Sequence, residues 1–494
     1  MVVGEMILET DILVIGGGPG GYTAAIHAAD MGKEVVLVEA RPELGGVCLT
    51  EGCIPSKTLI HAVGLAQNAT EARNMGLVHD GISFDVTKLR RHVQKVVKVL
   101  SSGVSALVEN RDIERVQGHA RFLDRNSAYV DGANTIVHFN HAVIAAGSGI
   151  NTLPPGIFKS GEGDDTDPDA GADQEIWTSA QALSLPEIPE SLLVIGGGYI
   201  GLEIGQAYAG LGSRVTLVEF SEALLSGADK DLVRVVVKKC EKDFDAIHTR
   251  SKVTAIEPAS HGFRVTMEQI GDPDGNGAAP QTFQQNFSRV LAATGRHPNT
   301  RDLGLEAIGL DTDDNGIIPT DDRCRTAIDH IFAIGDVASG PALAHKAARE
   351  GKVAVEVICG QPSAFDNVTV PAVLFTRPEI SWTGLTEAAA EARGIAVDVG
   401  KFPLTALGRA KSAGKTDGFV KVLAEPKTGV ILGVGIVGEH ASELVAEATL
   451  AIEMGACLED LIVTIHPHPT FSESLMEAAE MVASGSVHMM RQKE

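Results

Sequence analysis

Cys48 and Cys53 stand with four residues between them in Cys48-Leu49-Thr50-Glu51-Gly52-Cys53-Ile54-Pro55-Ser56-Lys57. A close dithiol takes up or releases an electron pair by breaking or making a sulfur–sulfur bond. The pair follows a Gly-rich strand–turn–helix pattern that begins at Ile12, an order that suggests a dithiol held against a flavin. A flavin can pass the same electron pair on as a hydride, so the combination points to thiol chemistry connected to a nicotinamide. Near the C-terminus, His468 and Glu473 have the types of a base and its orienting carboxylate. Taken alone, His468 reads more readily as an exposed loop residue, and His466, two positions earlier, competes for the same role.

Positioning such groups requires the elements between them. Asp11 to Gly21 is a buried strand running into a Gly-rich turn, and Val35 to Glu39 is the next strand. The pattern returns at Ser191 to Gly201, followed by Arg214 to Glu219. Each copy has a strand before it, a helical pattern after it and an acid closing the following strand, the context that makes the motif specific for a dinucleotide. Gly16, Gly18 and Gly21 let the backbone approach a pyrophosphate at a helix N-terminus, and Gly196, Gly198 and Gly201 repeat that geometry. Glu39 and Glu219 are placed to accept from ribose hydroxyls and to repel a 2′-phosphate. The first unit therefore suits FAD or NAD. Beside Glu219 stand Val218 and Phe220 rather than a cation, which favours NAD in the second. Glu203 has two readings, a solvated first-turn acid or a partner for Lys57. Cys48 and Cys53 are expected on a segment that opens a helix, whose N-terminus favours thiolate.

Size and charge narrow the class. The 494 residues allow about three domains. A formal charge of −24 argues against nucleic acid as a partner and is read chiefly as solubility. No run of about 18 apolar residues suggests a membrane span. The first strand begins so early that no signal peptide is expected, and a cytoplasmic protein or a mature form is the reading. Cys240, Cys324, Cys359 and Cys457 are scattered and expected as reduced thiols, and without a second close pair a four-thiolate metal site is not expected. The segment 159–174 reads as an exposed acidic loop, and a further loop covers 271–280. Alternating strands and amphipathic helices from about Asn367 suggest a third domain for packing or dimerisation.

Taken together, several stretches resemble the two-dinucleotide-fold flavoprotein disulfide reductases, and within them the branch that oxidises dihydrolipoamide with NAD+. They are Gly45 to Lys57, Gly196 to Glu203, Ala293 to Asn299, Ala333 to Val337 and His466 to Glu473. The resemblance implies an α/β fold of two Rossmann-like domains, for FAD and NAD, plus a C-terminal α+β dimerisation domain. The expected limits are 1–158 and 301–366 for FAD, 175–300 for NAD and 367–494 for dimerisation. It implies that Asp336 binds the flavin ribityl chain and that Lys57 sits near flavin N5 and pairs with Glu203. Gly118, Ala146, Gly147, Ser148, Ala342, Leu343, Ala344 and His345 would complete the FAD site, and Val253 and Gly295 the NAD site. The chain would be a homodimer in which His468 and Glu473 serve the disulfide of the other subunit. Its partners would be lipoyl domains of 2-oxoacid dehydrogenase complexes, the glycine-cleavage H protein or another lipoate-binding protein. The alternatives are a sister enzyme acting on another disulfide, or a non-catalytic redox sensor or structural subunit of a lipoyl-carrier assembly. Three departures stand out. Ala146 replaces a usual Thr, Pro467 a usual Ala, and Glu51 adds a carboxylate expected to disfavour thiolate in the Cys loop.

Overall fold

The computed structural model describes residues 6–158, 175–271 and 281–489. The expected acidic loop at 159–174 and most of the 271–280 loop lie outside them. The first strand, Met6–Ile15, pairs in parallel with Val35–Glu39 on one side and Thr135–Ile144 on the other. Glu114–Gln117 extends this sheet in parallel beyond Val35–Glu39. The far edge of Thr135–Ile144 is shared. His119–Asp124 and Ser127–Asp131 form an antiparallel meander against its first half, and Ile331–Ala333 joins its last three residues in parallel. Val35–Glu39 is buried throughout, the near-continuous apolar run expected of a strand covered on both faces.

The return of the chain at Ile331 is held by helix packing. Pro19–Asp30 lies along Ala344–Ile358, and glycines make the contact close: a Cβ at Gly351 would come within 2.7 Å of the Gly20 carbonyl.

The second unit repeats the design. Its parallel sheet runs Ala246–His248, Arg214–Val218, Ser191–Ile195, Arg289–Ala292, beside an antiparallel sheet of Ser251–Ala259, Gly262–Gln269 and Thr282–Phe287. From Ala372 the chain forms a five-stranded antiparallel sheet, covered by Ala441–Glu453 and Glu473–Ala483.

A buried ion cluster joins this last sheet to the second unit. Lys421 has no exposed surface and donates to Asp229 at 2.7 Å, Asp231 at 2.8 Å and Glu387 at 2.7 Å. Its cross-strand neighbour Lys401 pairs with Asp231 and Glu387 from the wetter side. An ammonium taken wholly out of water is tolerated only with partners of this quality.

Candidate active site

The two cysteines belong to different helices. Cys48 lies within the short helix Gly46–Thr50, and Cys53 is the first residue of Cys53–Glu71. The segment does open a helix, but at Cys53: Gly52, with φ −131° and ψ −104°, separates it from the short helix that holds Cys48, so the N-terminus of the long helix belongs to Cys53. Both are free thiols, as are Cys240, Cys324, Cys359 and Cys457.

Their chemistry diverges sharply. A hydrogen bond with Cys48 and the charge of Lys57 pull the Cys53 thiol down to about 7, against burial and the charge of Glu203. The same hydrogen bond, reinforced by burial, pushes Cys48 far above the ordinary thiol range. The reduced pair therefore holds its thiolate on Cys53 and its proton on Cys48.

Lys57 lies one turn beyond Cys53 on the same helix, and its Nζ donates to Glu203 Oε2 at 2.8 Å. Glu203 is 3% exposed, and its other oxygen accepts from the Phe375 N–H at 2.9 Å. Of its two readings the structure keeps the pairing with Lys57. A carboxylate this buried needs both partners.

Glu51 is likewise settled by its partner. It forms an ion pair with Arg41 at 3.0 Å. Its charge is answered there, and the carboxylate opposing the thiolate is Glu203 instead. The expected cost of Glu51 to thiolate is corrected accordingly.

Cys48, Glu51, Cys53, Lys57 and Glu203 line a cleft of about 1280 Å³ whose lining also includes Gly16, Gly18, Glu39, Gly118, Ala146, Gly147, Ser148, Asp336, Ala342 and Ala344. The cradle fits a flavin dinucleotide. Gly16 has φ +105°, and a Cβ there would lie 2.2 Å from the Ala145 carbonyl oxygen. Glu39 accepts from the Gly17 N–H at 2.6 Å with one oxygen and from the Arg41 N–H at 2.9 Å with the other, which leaves lone pairs on a fixed carboxylate. At Gly118, with φ +154°, a Cβ would strike the Asp131 carbonyl. Asp336 accepts from the Ser148 hydroxyl at 2.5 Å, and Ser148 accepts from Arg296 Nε at 2.8 Å.

Not every expected residue reaches this cleft. Gly21 packs the helix on the turn, where a Cβ would fall 1.7 Å from the Gly16 carbonyl oxygen. Leu343 and His345 are not in the cleft lining, and His345 Nε2 bonds to the Pro371 carbonyl at 2.8 Å.

The second turn copies the first. Gly196 has φ +112°, and the Gly197 N–H donates to Glu219 at 2.6 Å, while the Ser221 N–H takes its other oxygen at 2.7 Å. Gly198 caps the helix Tyr199–Leu211, Gly201 packs against Gly196, and Gly295 has φ +107°. The Val253 side chain is committed to the core with Leu193, Val218 and Met267. Tyr199 and Ile200, which open the second helix, line the same cleft as Cys53. The thiolate and the start of the second nucleotide unit thus face one space.

At the C-terminus, His468 Nδ1 meets Glu473 Oε1 at 2.8 Å, and the other carboxylate oxygen accepts from the Thr470 N–H at 2.7 Å. Burial would raise Glu473, but the Thr470 N–H and His468 outweigh it and hold the carboxyl below its usual range. His468 is 76% exposed at its side chain. His466 is separated from it by its bonds: Nδ1 meets the Thr464 carbonyl at 2.9 Å and Nε2 meets Glu447 at 2.7 Å, so both nitrogens are occupied. Neither His468 nor Glu473 lines the cleft that holds Cys48 and Cys53.

Arg41, Tyr199, Arg296 and Phe375 escaped the residue-by-residue reading. Tyr199 and Arg296 sit inside motifs that could have flagged them. Phe375 has no sequence signal, because it meets Glu203 across 172 positions.

Comparison with known proteins agrees with this geometry. Residues 10–351 match the family model described as pyridine nucleotide-disulphide oxidoreductase, and residues 370–479 match its dimerisation domain. The chain is 43% identical over 493 residues to the dihydrolipoyl dehydrogenase of Geobacillus stearothermophilus, covering 99% of this chain and 100% of that one. It is 42% identical to that of Haloferax volcanii, with the same coverage. Among solved structures it resembles LpdA from Mycobacterium tuberculosis, with a TM-score of 0.83 at 27% identity, over 95% of this chain and 99% of that one. It also resembles the HOCl-induced flavoprotein disulfide reductase RclA from Escherichia coli, with a TM-score of 0.81 at 26% identity, over 96% and 100%. FAD and NAD are the cofactors of this fold, and the two turns fit them. With two nucleotide turns, a dithiol between them and a dimerisation domain behind, the chain belongs to the pyridine nucleotide-disulphide oxidoreductases.

Proposed function

We propose that the chain acts as a dihydrolipoyl dehydrogenase, oxidising protein-bound dihydrolipoyl groups to lipoyl groups with NAD+ as acceptor. The carrying observation is the placement of the dithiol: Cys48 and Cys53, the latter at a helix N-terminus one turn from Lys57, line the cleft that both nucleotide units border. Bound FAD supplies a two-electron carrier between the dithiol and the nicotinamide.

The residues then take these parts. In the oxidised form Cys48 and Cys53 share a disulfide. His468, through Nε2, takes the proton of one substrate thiol, while Glu473 fixes the ring at Nδ1. The substrate sulfur attacks Cys48, a mixed disulfide forms, and Cys53 leaves as the thiolate that Lys57 stabilises. The second substrate thiol gives its proton to the departing Cys48 sulfur as its own sulfur attacks the first and closes the lipoyl disulfide, and the proton held by His468 passes to solvent. The substrate has lost two electrons and the cysteine pair has gained them. His468 lies outside this chain's own cleft and the chain carries a dimerisation domain, so the base is assigned to His468 of the partner subunit. The carrier would be a lipoyl domain of a 2-oxoacid dehydrogenase complex, an H protein or another lipoate-binding protein. We place the reaction in the cytoplasm. Among the described residues no helix is long and apolar enough to cross a membrane.

The test is NADH formation from dihydrolipoamide and NAD+ by the purified protein and its Cys48→Ser variant. Turnover that vanishes in the variant while FAD stays bound supports the reading. Substantial dithiol turnover in the variant refutes it.

A further inference from the structure

The third domain reaches into the redox site through one short segment. Phe375 and Arg377 follow the strand Ala372–Leu374 and are tied to the helix Tyr199–Leu211 by two of its side chains, one turn apart. Glu203 accepts the Phe375 N–H at 2.9 Å. Gln206 accepts the Arg377 N–H at 2.8 Å and donates to the Arg377 carbonyl at 3.1 Å. This anchorage brings the half-buried Phe375 ring against Lys57, whose Nζ sits 4.7 Å from the ring centroid. Among the described residues the ammonium has one hydrogen-bonded side-chain partner, Glu203. The ring therefore supplies the second restraint on its position, through attraction of a cation to the negative face of an aromatic ring.

We infer that Phe375 is a positioning residue of the redox site: its ring and main-chain N–H together hold Lys57 and Glu203 so that the ammonium faces Cys53. The inference rests on the dithiol relay proposed above. It adds that the third domain takes part in that relay within its own chain. The two restraints act on opposite charges. The N–H fixes the carboxylate that disfavours the Cys53 thiolate, and the ring fixes the ammonium that favours it. Partial desolvation strengthens both. A leucine at this position would keep the N–H and much of the bulk but would lack the negative face.

The experiment uses the FAD-bound protein in a Cys48→Ser background, where the Ser hydroxyl can still donate to Cys53. Position 375 carries Phe, 4-fluoro-Phe, 3,4,5-trifluoro-Phe or Leu. Fluorination leaves ring shape nearly unchanged while draining the negative face, so a folding defect does not enter the series. Alkylation of Cys53 by iodoacetamide, located by mass spectrometry, is followed against pH. The midpoint is expected to rise in steps with fluorination, reaching about half a pH unit in the leucine variant. A midpoint that stays flat through the series overturns the role of Phe375 and leaves the relay intact. An ordinary thiol midpoint in the unfluorinated parent overturns the relay reading itself, and this inference with it.

Discussion

Replacing Lys57 by Met removes the ammonium that Cys53 faces. The Cys53 thiol is brought down to about 7 first by the Cys48 hydrogen bond and then by Lys57, against burial and Glu203. With the Cys48 donor kept and the ammonium gone, the thiol should climb by about one pH unit, a loss of about 1.4 kcal/mol in thiolate stabilisation. At the parent's own midpoint the thiolate fraction then falls from one half to about one tenth. The same change leaves Glu203 at 3% exposure with the Phe375 N–H as its partner. A carboxylate so stranded costs about 3–5 kcal/mol if it stays charged, so part of the population takes up a proton instead. The double variant Lys57→Met with Glu203→Gln removes the opposing charge as well. It should bring the Cys53 midpoint part of the way back and restore stability. The assay is the pH dependence of iodoacetamide alkylation in the dithiol-reduced protein, read at Cys53, beside thermal unfolding of the same samples. The reasoning is refuted by a single variant that titrates with the parent, or by a double variant whose midpoint lies above that of the single one.

Four further outcomes are expected. His468→Gln should slow dihydrolipoamide oxidation about 10²–10⁴-fold, while NADH-driven reduction of a small quinone, which needs no thiol base, is retained; steady-state rates with both substrates check this. If His468 serves the partner subunit, co-refolding Cys48→Ser chains with His468→Gln chains should restore about a quarter of the sites, since half of the dimers are mixed and each carries one intact site; activity no greater than the sum of the separate variants would deny the shared site. Gly201→Ala places a Cβ 2.1 Å from the Gly196 carbonyl oxygen and should abolish NAD+ binding with FAD retained, measured by titration and flavin absorbance. Lys421→Met should destabilise the joint between the second unit and the C-terminal sheet by about 3 kcal/mol near neutral pH. Burial alone would raise Asp231 and lower Lys421, but bonds from Lys401 and Lys421 leave Asp231 below its ordinary value, and bonds to Asp229, Asp231 and Glu387 leave Lys421 above its own. The penalty in unfolding experiments should therefore persist between those values. It should shrink as pH falls through the lowered Asp231 value, or rises through the raised Lys421 value.

Much of this protein is local, and local features are legible in a sequence. Both Gly-rich turns are continuous stretches whose strand, turn and helix lie side by side in the chain, so their conformations follow from residue type. A Gly16 at φ +105° and a Gly196 at φ +112° are what the motif requires. The same holds for the Cys48–Cys53 spacing and for the bond between His468 and Glu473, five positions apart. The sequence therefore determined the chemistry on offer: a dithiol, two nucleotide turns, a base with its carboxylate. Only the tertiary structure decided which charge meets which. Lys57 and Glu203 are 146 positions apart, Glu203 by itself reads equally as a solvated first-turn acid, and the fold makes them a pair. Glu51 looked like a threat to the thiolate until Arg41 was placed beside it. His466 and His468 are indistinguishable as residue types, and Glu447, on the helix Ala441–Glu453, ties the first while leaving the second exposed. Phe375 and Lys421 carried no signal at all, because cation–ring contact and buried ion pairing depend on distance in space and on the exclusion of water, neither of which is written along a single chain.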